Sequence, residues 1–335
     1  MSGPHNDAAG INARGAWRLN PRLVPLVATI ALFLAMAAFG SVLYKGFFSS
    51  QVFLNLLIDN AFLLIVATGM TFVILSGGID LSVGSAVALS TMAMATLVQQ
   101  QHMRMELAFL LVLAMGTGFG AFMGWLIQRF RLQPFIVTLA GMFLARGLCY
   151  VISIDSVSIT DAGYAALAQM LVPLWPGAAL SISALLALAV LAIAVFMAHY
   201  TEFGRTVYAM GGNEQSAVLM GLPVTRTSVL IYTLSGFCSA LGGIAFTFYT
   251  LSGYGLHAVG LELDAIASVV IGGTLLSGGV GYVFGTLFGV LTLGIIQTLI
   301  TFDGTLSSWW TRIVIGALLF VFCLLQRVFE ARREG

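Results

Sequence analysis

Apolar residues run unbroken for about 20 positions at a time along nearly the whole chain, without alternating with polar ones. That is the length of a helix crossing a bilayer. Lipid admits only helices and closed barrels, because every backbone polar group must be paired internally. A barrel strand would alternate polar and apolar over about 10 residues, so the pattern predicts helices. Charge points the same way. Only 8% of residues are charged and the mean hydropathy is +1.02, against about 25% charged in soluble domains. Such a surface must face lipid.

Ten segments carry the pattern: 23–44, 52–76, 83–99, 107–128, 134–153, 178–199, 228–251, 262–277, 281–302 and 309–326. Residues 24–34 and Ala35-Met36-Ala37 resemble a cleavable leader, but the apolar run continues to about Tyr44, long enough to span. Lys and Arg concentrate in cytoplasmic loops. With the N-terminus inside, Arg14, Arg18, Arg22, Arg129, Arg131, Arg205, Arg226, Arg327, Arg332 and Arg333 are inside, while Lys45, Arg104 and Arg312 are outside. The expected fold is therefore all-α: a polytopic transmembrane bundle of about ten spans, some interrupted, with both termini cytoplasmic. Residues 1–22 form an N-terminal tail, 23–326 one membrane domain with a cytoplasmic loop at 200–227, and 327–335 a C-terminal tail. Trp175, Trp309 and Trp310 fall near outer span ends, where aromatic side chains anchor to the interface.

Several function classes drop out. With one lysine, Lys45, and no basic face, nucleic acid is not an expected partner. The same lysine lies in Tyr44-Lys45-Gly46, so no phosphate-binding Gly-Lys-Ser/Thr loop exists. No zinc-protease or nucleophile-elbow motif is present; Ser252 and His257 lack a supporting motif. Cys149, Cys238 and Cys323 are too scattered for a disulfide framework or a metal site.

Two glycine-rich interruptions stand out. Gly77-Gly78-Ile79-Asp80-Leu81-Ser82-Val83-Gly84 separates the second and third segments, and Gly272-Gly273-Thr274-Leu275-Leu276-Ser277-Gly278-Gly279 repeats its G-G-x-x-L-S-x-G pattern. Paired glycines do not belong inside a continuous helix, and corresponding interrupted spans point towards a transport site. Asp80 reads either as a charge beside a watery path or as a helix N-cap at the inner surface. Gly116, Gly120 and Gly124, and Gly281, Gly285 and Gly289, recur every four residues and predict close helix packing. Intramembrane polar residues are candidates for a substrate path: Asn55, Asp59, Asn60, Asp80, Arg146, Glu262, Asp264 and Thr274. Glu262 and Asp264 also read as acids favoured at a helix N-terminus, and Asp59 could pair with Arg146. In the inner loop, Asn213 can cap a short helix, Glu214 suits its first turn, and Gly221 with Pro223 stops it. That is either a solvated surface helix or a docking knob.

The blocks G-M-T-F-V-I-L-S-G-G-I-D-L-S-V-G-S at 69–85, L-A-G-M-F-L-A-R-G at 139–147, Y-A-M-G-G-N-E at 208–214 and E-L-D-A-I-A-S-V-V-I-G-G-T at 262–274 resemble permeases of bacterial monosaccharide ABC importers, the ribose-type family. Asp59-Asn60-Ala61-Phe62, the run at 268–281 and 302–310 resemble members that import galactofuranose. The resemblance implies a multi-pass protein of the bacterial inner membrane, working by alternating access and not as an enzyme. It implies a sister permease, giving a heterodimer, a cytoplasmic ATP-binding subunit that holds the ATP, and a periplasmic sugar-binding protein. No cofactor or metal is expected in this chain. The coupling contacts implied are Gly204, Arg205, Gly211, Gly212, Asn213, Glu214, Ala217 and Gly221; of the general coupling-loop consensus mainly Glu214, Ala217 and Gly221 remain. The rival reading is an ion-coupled secondary transporter, which also places polar groups on broken helices.

Overall fold

The computed structural model describes residues 24–305, 307 and 309–334, with side chains from 26 to 325 apart from 306 and 308. The predicted 1–22 tail, with Arg14, Arg18 and Arg22, lies outside the described residues, as do the side chains of Arg327, Arg332 and Arg333. A helix overlaps each of the ten apolar segments. They are α1 (Val24–Leu43), α2 (Ser50–Asp59) with α3 (Ala61–Leu75), α4 (Val83–Ala95) with a π-helical turn (Thr96–Gln100), α5 (Met105–Phe130) and α6 (Pro134–Ile152). After β1 (Val157–Ser158), α7 (Ala162–Ala168), β2 (Leu171–Trp175) and β3 (Ala178–Ser181) comes α8 (Ile182–Tyr200). The rest are α9 (Glu202–Gly212), α10 (Glu214–Leu219), α11 (Val224–Thr250), β4 (Ser252–Gly253), α12 (Leu261–Ile271), α13 (Val283–Asp303) and α14 (Trp309–Glu334).

By length and composition six of these helices can cross a membrane, or seven if the bent pair α2 and α3 counts as one span. Three expectations change accordingly. The segment 52–76 is two helices meeting at 58°, because Asn60 leaves the helical region and its Nδ2 donates to the Leu56 carbonyl at 2.9 Å. The helix of segment 262–277, α12, has only 11 residues, roughly 16 Å, which cannot cross a core of about 30 Å. The start of 178–199 is strand β3, paired with β2 across a Pro176-Gly177 turn. The C-terminal helix also runs past 326 to Glu334.

Helix α3 is the axis of the bundle: every residue but Phe62 is buried. Around it pack α8, α11, α12 and α13. Lipid tails offer no hydrophobic drive between helices, so close backbone approach must supply the cohesion. Helix α11 provides it. A Cβ on Gly116 of α5 would stand 2.8 Å from the Gly236 carbonyl of α11, and one on Gly236 2.8 Å from Gly120 Cα. The stripe predicted on α13 shrinks to Gly285 and Gly289, which face Ser268 of α12 and Gly272 at its C-terminal end, because Gly281 lies in the turn before α13. Exposed apolar side chains on α1, α5, α6, α8 and α14, such as Leu110, Phe143, Ile193 and Phe320, form the outer, lipid-facing surface. The bundle has two distinct ends, one bearing α9 and α10 (the loop end) and one bearing β2–β3 (the hairpin end).

Candidate functional site

Towards the hairpin end two adjoining cavities, of 560 and 420 Å³, share Asn60, Phe62, Gln297 and Thr301. The larger lies between the first turns of α3 and α12 and the outer part of α13, and includes Asp264 and Arg312. The smaller lies between α2, through Val52, Asn55 and Asp59, and α13, through Gly294, Gln297, Thr298 and Thr301. Phe62 stands on the shared wall, edge-on to Phe246 at 4.8 Å between ring centres, and Tyr249 lines the smaller space. Amides, hydroxyls and a carboxylate beside aromatic faces suit a ligand with many hydroxyls and apolar C–H edges.

Of the predicted path residues, the structure brings together Asn55, Asp59, Asn60 and Asp264. Sequence reasoning missed Gln297, Thr298, Thr301, Tyr249 and Arg312. Gln297 is exposed on a helix whose preceding residues, Thr292–Ile296, are all buried, because it opens on this space. The readable signal was three polar residues at i, i+1 and i+4 in an apolar span. Arg312 donates to the Val259 carbonyl at 3.5 Å, and its charge acts on Asp264.

The other candidates lie elsewhere. Asp80 is buried, and its carboxylate accepts from Ser82 N–H at 2.9 Å, Ser82 Oγ at 2.6 Å and Ser235 Oγ at 2.7 Å. It ties the α3–α4 break to α11; the residue at the N-cap of α4 is Ser82, so Asp80 is a buried tie and not a cap at the inner surface. Arg146 does not meet Asp59: its Nη1 donates to the carbonyls of Gly255 and His257 at 2.6 and 2.8 Å, pinning the loop before α12. Among the described residues the one ion pair is Arg104–Glu106, at 3.5 Å. Glu262 packs over Gly84 of α4, with its Oε2 buried and making no hydrogen bond. Thr274 is buried in the α12–α13 turn, against Gly281.

At the loop end the two glycine motifs meet. Gly279 N–H donates to the Leu75 carbonyl at 2.8 Å. A Cβ on Gly278 would stand 2.9 Å from Gly77 Cα and 3.1 Å from Gly211 Cα, and one on Gly279 2.8 Å from Gly212 Cα. Both helix breaks therefore rest, backbone on backbone, against the C-terminus of α9. Gly278 and Gly279 also take φ of +86° and +71°, where glycine is favoured. Tyr208 of α9 adds a hydrogen bond to the Gly281 carbonyl at 2.9 Å. Burial, and then neighbouring Tyr282, push its hydroxyl up to about 12, so it stays a donor.

From this joint the chain turns outward. Thr201 caps α9 by accepting from Gly204 N–H at 3.2 Å, and Asn213 caps α10 by accepting from Ser216 N–H at 2.7 Å. Gly221 ends the module at φ +76°. Arg205, Gly212, Asn213, Glu214 and Gly221 are exposed, whereas Gly204 and Ala217 are buried. The tip also exposes Val218, Leu219 and Met220, at 56, 87 and 67%. Among the described residues no group of three His, Cys, Asp or Glu side chains could hold a metal.

Comparison with known proteins adds ancestry to this geometry. The chain is 54% identical over 306 residues to the inner membrane ABC transporter permease protein YjfF of Escherichia coli, covering 91% of this chain and 92% of that one. It is 39% identical to the fructose import permease protein FruG of Bifidobacterium longum (94% of each chain). It is 40% identical to the ribose import permease protein RbsC of Bacillus subtilis (86 and 88%). No solved structure gave a significant match. Residues 52–323 match the family described as branched-chain amino acid transport system / permease component. With full-length relatives at this identity and a family match reaching from α2 to α14, the chain belongs to that family of transporter permeases.

Proposed function

We propose that the chain is the permease subunit of an ATP-driven importer for a monosaccharide, galactofuranose in the narrower reading. It is a multi-pass protein of the inner membrane, in keeping with its relatives and its apolar helices. The observation that carries the reading is a division of labour between the ends of the bundle. A hydroxyl-compatible cavity pair stands at one end, and an exposed two-helix module presses on two helix breaks at the other. The loop end faces the cytoplasm, as the arginine distribution favours, with both termini on that side and about ten membrane-inserted segments.

In this account a periplasmic sugar-binding protein delivers substrate at the hairpin end. A cytoplasmic subunit binds ATP and grips α9–α10 through Arg205, Asn213, Glu214 and the apolar tip. A sister permease completes the pathway as a heterodimer. ATP-driven closure moves α9, whose Gly211-Gly212 end carries the motion to both breaks and so to α3, α4, α12 and α13. A ligand shifts such an equilibrium only through its difference in affinity between states, so the cavities hold the sugar weakly and the delivering protein supplies selectivity. Sugars are favoured over amino acids by Asn55, Gln297, Thr298 and Thr301, neutral groups suited to hydroxyls. Asp264 beside Arg312 is the one feature that favours an amino acid, since opposite charges match a zwitterion. Competition settles the two. Uptake of labelled galactofuranose by the assembled transporter should be blocked by unlabelled galactofuranose and unaffected by leucine. Uptake of labelled leucine by the same assembly, with none of labelled galactofuranose or any other monosaccharide, would overturn the reading.

A further inference from the structure

We infer that α2 is the outer gate of the sugar path and that Gln51 is the positioning residue that holds it shut; this rests on the sugar-permease reading. Helix α2 is only ten residues long and joins α3 through the 58° bend at Asn60, so it can swing about one point. One side of it, through Val52, Asn55 and Asp59, lines the smaller cavity opposite Gln297, Thr298 and Thr301 of α13. Another side rests on strand β3.

Gln51 makes that second contact specific. Its Oε1 accepts from Ala179 N–H at 3.1 Å and its Nε2 donates to the Ala179 carbonyl at 3.4 Å, so the amide pairs with β3 as a neighbouring strand would. The same Nε2 donates to Asn55 Oδ1 at 2.8 Å, linking the strand contact to a cavity-lining amide one turn on. Among the described residues the two bonds to Ala179 are the only side-chain hydrogen bonds from α2 to another element. The remaining hold is apolar, chiefly Leu56 packed with Phe47 and Ile295. Apolar packing is non-directional and tolerates a shift; the amide pair does not. Breaking it frees α2 to move off α13 and opens the cavity to the outside.

The test uses the complete transporter in membrane vesicles. A Thr298→Cys reporter in the smaller cavity is exposed to a membrane-impermeant thiol reagent from the outer side, with the parent chain as the measure of native-cysteine labelling. Adding Gln51→Ala should speed reporter labelling about tenfold, since both hydrogen bonds to Ala179 are lost. Unchanged labelling in a complex that still hydrolyses ATP would overturn the inference. A second measurement decides even if that variant fails to assemble. In Gln51→Cys with Ala179→Cys, a short reducible cross-linker should abolish sugar uptake, and reduction should restore it. Transport at the unlinked rate while cross-linked would overturn the gate. Sugar uptake by the parent chain in the same vesicles tests the permease reading separately.

Discussion

Single residues divide by whether their partners are local. Asn213 as a helix cap was legible in the sequence because the N–H it binds is three residues away. Asp80 was half legible. Its contact with Ser82 is local, but Ser235 reaches it from 155 residues away. Its replacement by alanine strands both serine hydroxyls in a buried place, and a charge-assisted hydrogen bond is worth about 1.5–3 kcal/mol. Asp80→Ala should therefore lower stability by about 2–4 kcal/mol in detergent-solubilised thermal unfolding, and Asp80→Asn, which keeps an acceptor, by less. Arg146 looked like a path residue because an arginine in a span usually is one. Its actual partners are backbone carbonyls, which leave no mark in a sequence. Gln297 went unread for the opposite reason: one amide in an apolar span means little until α2 is placed across from it. Gln297→Ala should cut maximal sugar uptake about tenfold, equivalent to about 1.4 kcal/mol in the transport barrier, while leaving ATP hydrolysis intact.

At the scale of elements, a helix overlaps every apolar run, because period and length are properties of the run itself. Where the helices break was partly legible. The doubled glycines marked the α3–α4 and α12–α13 turns, but Asn60 gave no comparable sign and α2–α3 read as one span. That the two glycine motifs touch each other, with Gly211-Gly212 between them, depends on three segments far apart in the chain. Gly211→Ala would place a methyl group on the Leu75 carbonyl and Gly279 N–H, forcing apart the pair that hydrogen-bonds at 2.8 Å. Its expected signature is more ATP hydrolysed per sugar imported, about tenfold or more if uptake falls alone. At the module's exposed face, Arg205→Glu or Glu214→Arg should also uncouple hydrolysis from uptake, with folding intact by thermal unfolding. Normal uptake in both would remove these side chains from the docking surface.

The whole molecule joins a hydroxyl-lined space to a mechanical joint through the buried helix α3. No Gly-Lys-Ser/Thr nucleotide-binding loop occurs in the sequence. The central claim is that the driving force comes from another polypeptide gripping α9–α10. The most direct measurement is uptake of labelled sugar by liposomes holding this chain with the proposed sister permease and sugar-binding protein, with and without the proposed ATP-binding subunit. The account predicts concentrative uptake only when that subunit and ATP are both present, and none on imposing a proton or sodium gradient in its absence. Sugar accumulation driven by an ion gradient without that subunit would contradict it.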